Sequence, residues 1–402
     1  MTSIRPPRAT PADGERGAGR APAAVVAVKR LFGTDNPDAI LLLGTTIFLV
    51  MFGLVMVLSA SSIVSSQGNN GDFFAVFVRQ AAFALIGIPV MLSIARLPAI
   101  FWRRGARHFV LFGIGLQALV VFTPLGYGYG GNRNWLSIGP LSAQPSEFLK
   151  LALIVWLASV LGAKAGEFSR WKDVVFPAIP LSLVAIGMVL LGQDLGTAGV
   201  MLAIVLGALF IAGVPLRYLF GMIVVIAAGA VAFAVSSPSR VDRITTWLDG
   251  CAPEDYENTC WQVVHGTWAL GSGGFFGVGL GNSSAKWSWL PHAENDYIFA
   301  IIGEELGLVG AVVVLALFIA LGIAFVRLLR QPLDGFRRVA IGGVMIWTIT
   351  QAFVNIAVVL GMLPVLGVPL PFVSAGGTSL VANLLAVGVV LSLARPAPEP
   401  VR

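Results

Sequence analysis

Residues 296–326 read DYIFAIIGEELGLVGAVVVLALFIALGIAFV. Beyond Asp296, the only charged side chains in it are Glu304 and Glu305, and residues 306–326 carry none. A helix of about 20 apolar residues crosses the hydrocarbon core of a bilayer. The stretch therefore reads as a membrane-spanning helix, long enough to tilt or to protrude from the lipid.

The same composition extends over the chain. Of 402 residues, 57% are hydrophobic and 11% charged, and the mean hydropathy is +0.86. Soluble domains carry roughly a quarter of their residues as charges, so a soluble globular class is excluded. Ten spans are predicted, near 39–60, 73–95, 108–125, 147–163, 174–192, 196–213, 218–236, 296–326, 339–362 and 376–394. Only GQDLG (192–196) separates the fifth from the sixth. The 47 glycines and 23 prolines fit membrane helices, where both are common.

Lys and Arg accumulate on the cytoplasmic side of membrane proteins. With the N-terminus inside and ten crossings, all but six of the 26 Lys and Arg residues fall on inner segments. The six exceptions are Arg79, Arg133, Lys150, Arg240, Arg243 and Lys286. The expected fold is thus an all-α polytopic membrane protein. It has ten transmembrane helices, cytoplasmic termini and a large extracytoplasmic loop, 237–295, between helices 7 and 8. The net charge of +6 is accounted for by this topology. Nucleic-acid binding is not expected, because the charges are spread over many short loops rather than one face. Residues 1–38, rich in Pro, Gly, Ala and Arg, are expected to be a disordered cytoplasmic tail, and 396–402 a cytoplasmic C-terminal tail. A cleaved signal peptide is not expected, since the first apolar run starts late and has the length of a full span.

One outer stretch stands apart. CAPEDYENTCWQ, residues 251–262, places Glu254, Asp255 and Glu257 between the only two cysteines, Cys251 and Cys260. Outside the membrane thiols can be oxidised, and a disulfide is favoured over free thiols. A staple on a loop without chemistry is the plainer alternative. Polar groups also sit at membrane depth, where ionisable residues are functional candidates. Glu147 and Lys150 are spaced to pair at i,i+3 on one helix face. Asp194, Asp296, Glu304 and Glu305 follow, and Gln351 and Asn355 share a face of the ninth span. For the last two, helix-to-helix adhesion is an equal alternative.

GNRNWLSIGPLSAQPSEFLKLALI (131–154), QDLGTA (193–198), GSGGFFGVGLGNSSAKWSWLPHAENDYIFAIIGEELG (271–307) and LPVLGVPLPFVSAGGTSL (363–380) occur in this order. Together they resemble the SEDS family of shape, elongation, division and sporulation proteins, over essentially residues 39–395. SAGGTS and GNSSAKW resemble its division branch more than its elongation branch. The resemblance implies a peptidoglycan glycosyltransferase that polymerises lipid II, an undecaprenyl-diphosphate-linked disaccharide peptide. It would act on the outer face of the cytoplasmic membrane, in septal wall synthesis. A class B penicillin-binding transpeptidase and other division proteins are the implied partners. The family's catalytic aspartate lies in the long outer loop, seven positions before a Gln that follows an aromatic residue. Here Trp261-Gln262 supplies that ending, which selects Asp255 over Asp249 and Glu254. Gln262, Asp296, Glu147, Lys150, Asp194, Glu304, Asn355 and Ser374 are the implied supporting polar residues. The chain departs from the family pattern in three places: His292 and Glu294 are exchanged in PHAEND, Gln193 stands where a proline is usual, and the cysteine pair is not general.

The chemistry needs a base to take the proton of an attacking sugar hydroxyl and cations to receive a departing diphosphate. A placed carboxylate contributes on the order of 10²–10⁴ in rate. Its ordinary pKa of about 3.9 must rise for it to act at neutral pH, through burial or through neighbours such as Glu254 and Glu257. Arg240, Arg243, Lys286 and Arg133 are the outward cations for the diphosphate. Anchoring a helix end at lipid headgroups is the alternative for the two arginines of the seventh span. The cofactor is left open. A divalent cation would neutralise the diphosphate, but no segment has the carboxylate density of a dedicated site. Pro364, Pro369 and Pro371, followed by Gly376, Gly377 and Ser379, predict broken backbone at membrane depth. Such backbone survives only when buried or beside a cavity, so the segment either lines a groove that admits the lipid tail or is a re-entrant loop that seals the bundle. A lipid II flippase and a non-catalytic division scaffold are the rival functions. Against the flippase, no internal repeat of the transporter kind is visible.

Overall fold

The computed structural model describes residues 36–68, 71–129, 132–139, 141–166, 168, 171–235, 238–250, 260–287 and 289–395. The chain begins there with α1 (Pro37–Gly68), α2 (Ala75–Ile94) and α3 (Ala99–Phe122). A small sheet follows, of β1 (Gly126–Tyr129), β2 (Asn132–Ile138) and β3 (Leu141–Ala143). Then come α4 (Pro145–Gly162), α5 (Trp171–Leu191), α6 (Leu195–Ile211), α7 (Leu216–Val235), α8 (Pro238–Asp249) and α9 (Trp261–Gly273). α10 (Ile298–Leu329), α11 (Gly335–Val359) and α12 (Gly377–Leu393) complete the chain.

Six of these helices, α1, α2, α3, α4, α10 and α11, are long and apolar enough to cross a membrane. Ala178–Leu191, Leu195–Ile211, Leu216–Ala232 and Gly377–Leu393 are shorter apolar helices. The apolar segments fall where the hydropathy placed them.

Three features correct the reading of an all-α fold with one loop at 237–295. First, the connection between the third and fourth apolar helices is a three-stranded antiparallel sheet in the order β1-β2-β3. Its alternation is too short to stand out beside the spans. Second, α3 begins at Ala99 rather than near 108, so Arg103, Arg104 and Arg107 are helical. Long basic side chains can reach polar surroundings from a helix whose backbone stays regular. Third, the long segment 237–295 carries two helices of its own, α8 and α9.

α10 is not continuous. Gly307 sits at φ 67°, ψ −163°, a conformation open to glycine and strained for other residues. The segment before α10 is laid against the break. Val278 N donates to Glu304 O at 2.9 Å and Gly279 N to Glu305 O at 3.0 Å, while Leu308 N donates to Gly274 O at 2.9 Å. The carbonyls that lose helical partners at the break are thus satisfied by the glycine-rich strip.

The proline-rich connection 363–376 is buried. Leu370, Phe372 and Val373 are in the core, and a side chain at Gly53 of α1 would meet the Phe372 carbonyl at 2.6 Å. The expectation that this broken backbone is buried or beside a cavity is met: it packs against α1, α2 and α11. Gln80 Nε2 donates to Ser374 O at 3.1 Å and Gln351 Nε2 to Pro369 O at 3.0 Å.

The two ends of the bundle are tied separately. At one end Asn36 and Gln331 exchange side-chain hydrogen bonds and Arg337 Nη1 donates to Arg395 O at 2.8 Å. At the other, β2 is joined to the α5–α6 turn by Arg133 N donating to Gly192 O at 2.8 Å. Trp247 of α8 donates to Gly361 O at 3.0 Å. The connections assigned to one face of the membrane by the basic residues therefore meet in space.

Candidate active site

A cavity of about 340 Å³ opens at this second end. Asn132, Asn134 and Trp135 of β2 line it, with Gln144 before α4, Asp194 at the start of α6 and Gln262 on α9. The segment before α10 adds His292, Asn295 and Asp296, and the buried connection adds residues 365–367, 369, 375 and 376. Thr378 and Ser379 of α12 close the lining. Six separate stretches of chain thus meet around one polar hollow at the end of an apolar bundle.

Each wall is held by specific bonds. Asp194 caps α6: Thr197 N donates to its Oδ1 at 2.9 Å, and Gln144 Nε2 to its Oδ2 at 3.4 Å. Gln193, just before it, adopts φ 63°. Asn355 of α11 donates to Asp296 O at 2.7 Å and to Val368 O at 2.8 Å, bridging two walls. Ser374 Oγ donates to Asn295 O at 2.6 Å and accepts from Leu370 N at 2.8 Å. Ala375 N donates to Glu294 O at 2.9 Å. Asn355 and Ser374 thus act through backbone, fixing the loop that carries Asn295 and Asp296.

Asp194 and Asp296 both lie in connecting segments outside the helices. Burial raises the Asp296 carboxyl from its ordinary value to about 6, opposed by His292 and reinforced by Glu294 and Asp194. Burial also pushes Asp194 up, against its hydrogen bonds from Thr197 and the field of Lys150. Asp296 Oδ1 is buried without a hydrogen-bond partner. The cavity therefore holds two carboxyls whose proton affinity is lifted above that of a solvated aspartate.

Beneath it lies a buried charge pair. Lys150 Nζ donates to Glu147 Oε1 and to Gln351 Oε1, both at 2.8 Å, and sits 4.8 Å from the Trp347 ring centroid. The expected i,i+3 pairing is present, and Gln351 is part of the same network.

Glu304 and Glu305 do not reach the cavity. Glu304 accepts from Ser283 Oγ, from Ser284 N at 2.8 Å and from Ser284 Oγ at 2.7 Å. Glu305 accepts from Ser59 Oγ of α1 at 2.7 Å and from Lys286 Nζ at 3.3 Å. Lys286 also donates to Gly281 O and is buried. This differs from a cation open to a diphosphate: the sequence put Lys286 on the outer side, but its ion pair with Glu305 turns it inward. The pair holds the glycine-rich strip on α10.

Arg133 is exposed and its Nη2 donates to Thr123 O, the carbonyl after α3, at 2.6 Å. Its neighbours Asn132, Asn134 and Trp135 line the cavity. Asp249 ends α8 and is exposed. Arg240 and Arg243 belong to α8, but their side chains lie outside the described ones. Cys251, Glu254, Asp255 and Glu257 lie outside the described residues, and with them the expected Cys251–Cys260 bridge. Cys260 itself is buried immediately before α9, and Gln262, seven positions after Asp255, is at the rim. Among the described residues no group of three His, Cys, Asp or Glu side chains is placed to hold a metal ion.

Sequence reasoning passed over Gln144, Asn134 and Asn295, whose roles arise from contacts between distant segments. It also passed over a ring cluster on α9, although Trp261, His265 and Trp268 recur at helical spacing.

A helical bundle of this hydropathy, with one end built into a polar, carboxyl-bearing cavity, is a polytopic membrane protein with a site at its rim. The chain matches the FtsW/RodA/SpoVE family, described as cell cycle proteins, over residues 39–398, and it belongs to that family. It is 38% identical over 362 residues to the probable peptidoglycan glycosyltransferase FtsW of Mycobacterium tuberculosis, covering 90% of this chain and 68% of that protein. It is 34% identical to stage V sporulation protein E of Bacillus subtilis, over 90% of this chain and 97% of the relative. Among solved structures, a chain of a peptidoglycan synthase complex, described as coordinating polymerization and crosslinking, superposes with a TM-score of 0.71 at 26% identity. That match covers 88% of this chain and 96% of the other. The rod shape determining protein RodA of Thermus thermophilus superposes with a TM-score of 0.64 at 28% identity, over 88% and 95%.

Proposed function

We propose that the chain is a peptidoglycan glycosyltransferase that polymerises lipid II into glycan strands on the outer face of the cytoplasmic membrane, in septal wall synthesis. The observation that carries this reading is the convergence of six stretches on one polar cavity, with Gln262 at its rim, in a member of a family whose relatives bear the glycosyltransferase name. In this reading the ten apolar helices cross the membrane with both termini inside, and the cavity opens outward.

Asp255 is the base. An acceptor sugar hydroxyl attacks the anomeric carbon of a lipid-linked donor, and a carbon–oxygen bond forms as the bond to the diphosphate breaks. The hydroxyl proton passes to the Asp255 carboxylate, and the lipid diphosphate leaves with the bonding electrons. Arg240 and Arg243, one helical turn apart on α8, receive its charge, since cations placed in advance stabilise developing charge. Arg133 stands near the β2 wall for the same purpose. Lys286, committed to Glu305, keeps the glycine-rich strip in place instead. The Cys251–Cys260 bridge would stiffen the segment carrying Asp255. A class B penicillin-binding transpeptidase is the partner that cross-links the strand, and other division proteins bring both to the septum.

The test is the purified full chain in detergent with lipid II. Polymer formed by the native chain and abolished by Asp255→Asn, with folding intact, supports the reading. Lipid II transported without polymer in proteoliposomes points to a flippase, neither activity points to a scaffold, and each outcome overturns the proposal. Labelling of a cysteine at position 255 from the cytosolic side would do the same.

A further inference from the structure

A second surface adjoins the cavity. On α9, Trp261, His265 and Trp268 lie at i, i+4 and i+7 and share one face. Trp289 joins them from the segment leading to α10. The Trp261 and Trp289 rings are stacked, 10° from parallel with centroids 6.3 Å apart. His265 sits 4.1 Å from Trp261 and 5.8 Å from Trp289, at 21° to the latter. Trp268 meets the His265 ring edge-on at 5.0 Å. The imidazole is buried, and its Nδ1 lies 2.8 Å from Trp261 O, which fixes its orientation.

An apolar core hides its ring faces. Here Trp268 and Trp289 remain 59% and 56% exposed. A tryptophan that marks a membrane boundary sets an apolar body in lipid and its N–H toward water. These rings instead form one rigid array, so little rotamer freedom is left to lose on binding. The array is continuous with the site: Gln262, beside Trp261, and His292, three residues after Trp289, both line the cavity. Gln262 Nε2 donates to Pro291 O at 3.4 Å, pinning the two segments together.

A pyranose ring presents axial C–H bonds on one face. Those hydrogens carry partial positive charge and meet the negative face of an indole, as aromatic edges do. We propose that Trp268 and Trp289, aligned by His265 and Trp261, form a carbohydrate-stacking subsite that holds the glycan strand beside the cavity. The assignment rests on the glycosyltransferase reading for its ligand class, and its test does not depend on polymerisation.

The full chain in phosphatidylglycerol–phosphatidylcholine nanodiscs is titrated calorimetrically with a lipid-free tetrasaccharide of alternating N-acetylglucosamine and N-acetylmuramic acid. Trp268→Ala and Trp289→Ala are each expected to weaken binding about tenfold, the order of one aromatic stacking contact. Trp289→Phe, which keeps a smaller ring in place and protects folding, should lose less than the alanine variant. Phe276→Ala, at an exposed ring outside the array, should bind as the native chain does. Native affinity in both tryptophan variants, absent binding by the native chain, or quenching of the Trp268 and Trp289 fluorescence by brominated lipid would each overturn the subsite. A native chain that binds the tetrasaccharide through these rings but makes no polymer sustains the subsite and sinks the polymerase reading. Polymer made with native tetrasaccharide affinity in the variants does the reverse.

Discussion

Replacing Lys150 with methionine keeps an unbranched apolar stem of similar length and deletes one buried charge. In the native protein the Lys150 and Glu147 side chains are 1% and 2% exposed, and their contact is 2.8 Å. Three interactions go with the ammonium. The bond to Gln351 matters least, because Gln351 Oε1 keeps Trp347 Nε1 at 2.8 Å. The contact with the Trp347 ring, at 4.8 Å, is worth up to about 2 kcal/mol when desolvated. The largest loss is at Glu147, whose Oε2 already lacks a hydrogen-bond partner, so the ammonium is the main compensation for its charge. Breaking a buried pair from one side costs about 3–5 kcal/mol, and Lys150→Met should lose that much. The double variant Glu147→Gln/Lys150→Met removes both charges and should return to within about 1–2 kcal/mol of the native chain, since neutral replacement of a buried pair is often near neutral. Unfolding of the full chain by SDS in mixed micelles measures all four members of the cycle. A loss below about 1 kcal/mol in Lys150→Met, or a double variant as unstable as the summed single ones, would refute the reasoning.

Three further outcomes follow from the geometry. Gly277 has φ 79° and its missing side chain points at the Glu305 carbonyl, so Gly277→Ala should destabilise by about 1–3 kcal/mol. Gly271→Ala, with nothing within 4 Å, should not, and thermal unfolding compares the two. Asn355→Leu leaves the Asp296 and Val368 carbonyls without a donor, at about 1–3 kcal/mol each. Polymerisation should fall with it, although residue 355 touches no reacting atom, and a fully active variant would count against this. Asp296 binds a proton in the folded protein that it releases in the unfolded chain between its ordinary value of 3.8 and about 6. Its contribution is fully present below about pH 3.8 and lost as pH rises through about 6. Asp296→Asn should therefore flatten the pH dependence of stability across that window, read from unfolding midpoints at stepped pH.

Much of this protein was legible in its residues. Continuous apolar runs long enough to cross a bilayer mark spanning helices, because within a single segment only a helix satisfies its own backbone in lipid. The distribution of Lys and Arg predicted which connections share a face, and the β-sheet and the α5–α6 turn do meet at one end of the bundle. Local spacing was enough for Glu147 with Lys150, since that pair depends on neighbours within one turn. The tertiary structure decided what depends on distant partners. Lys286 looked like an open cation until Glu305 closed on it. Asn355 read as a functional residue or as helix adhesive, and Ser374 as a supporting polar residue; both are clamps on the backbone around Asp296. The short strands of 126–143 take their meaning from the α5–α6 turn they bind. The cavity itself belongs to no stretch of sequence. It exists because apolar helices pack for their own burial and leave their polar ends, contributed from far apart in the chain, facing one another.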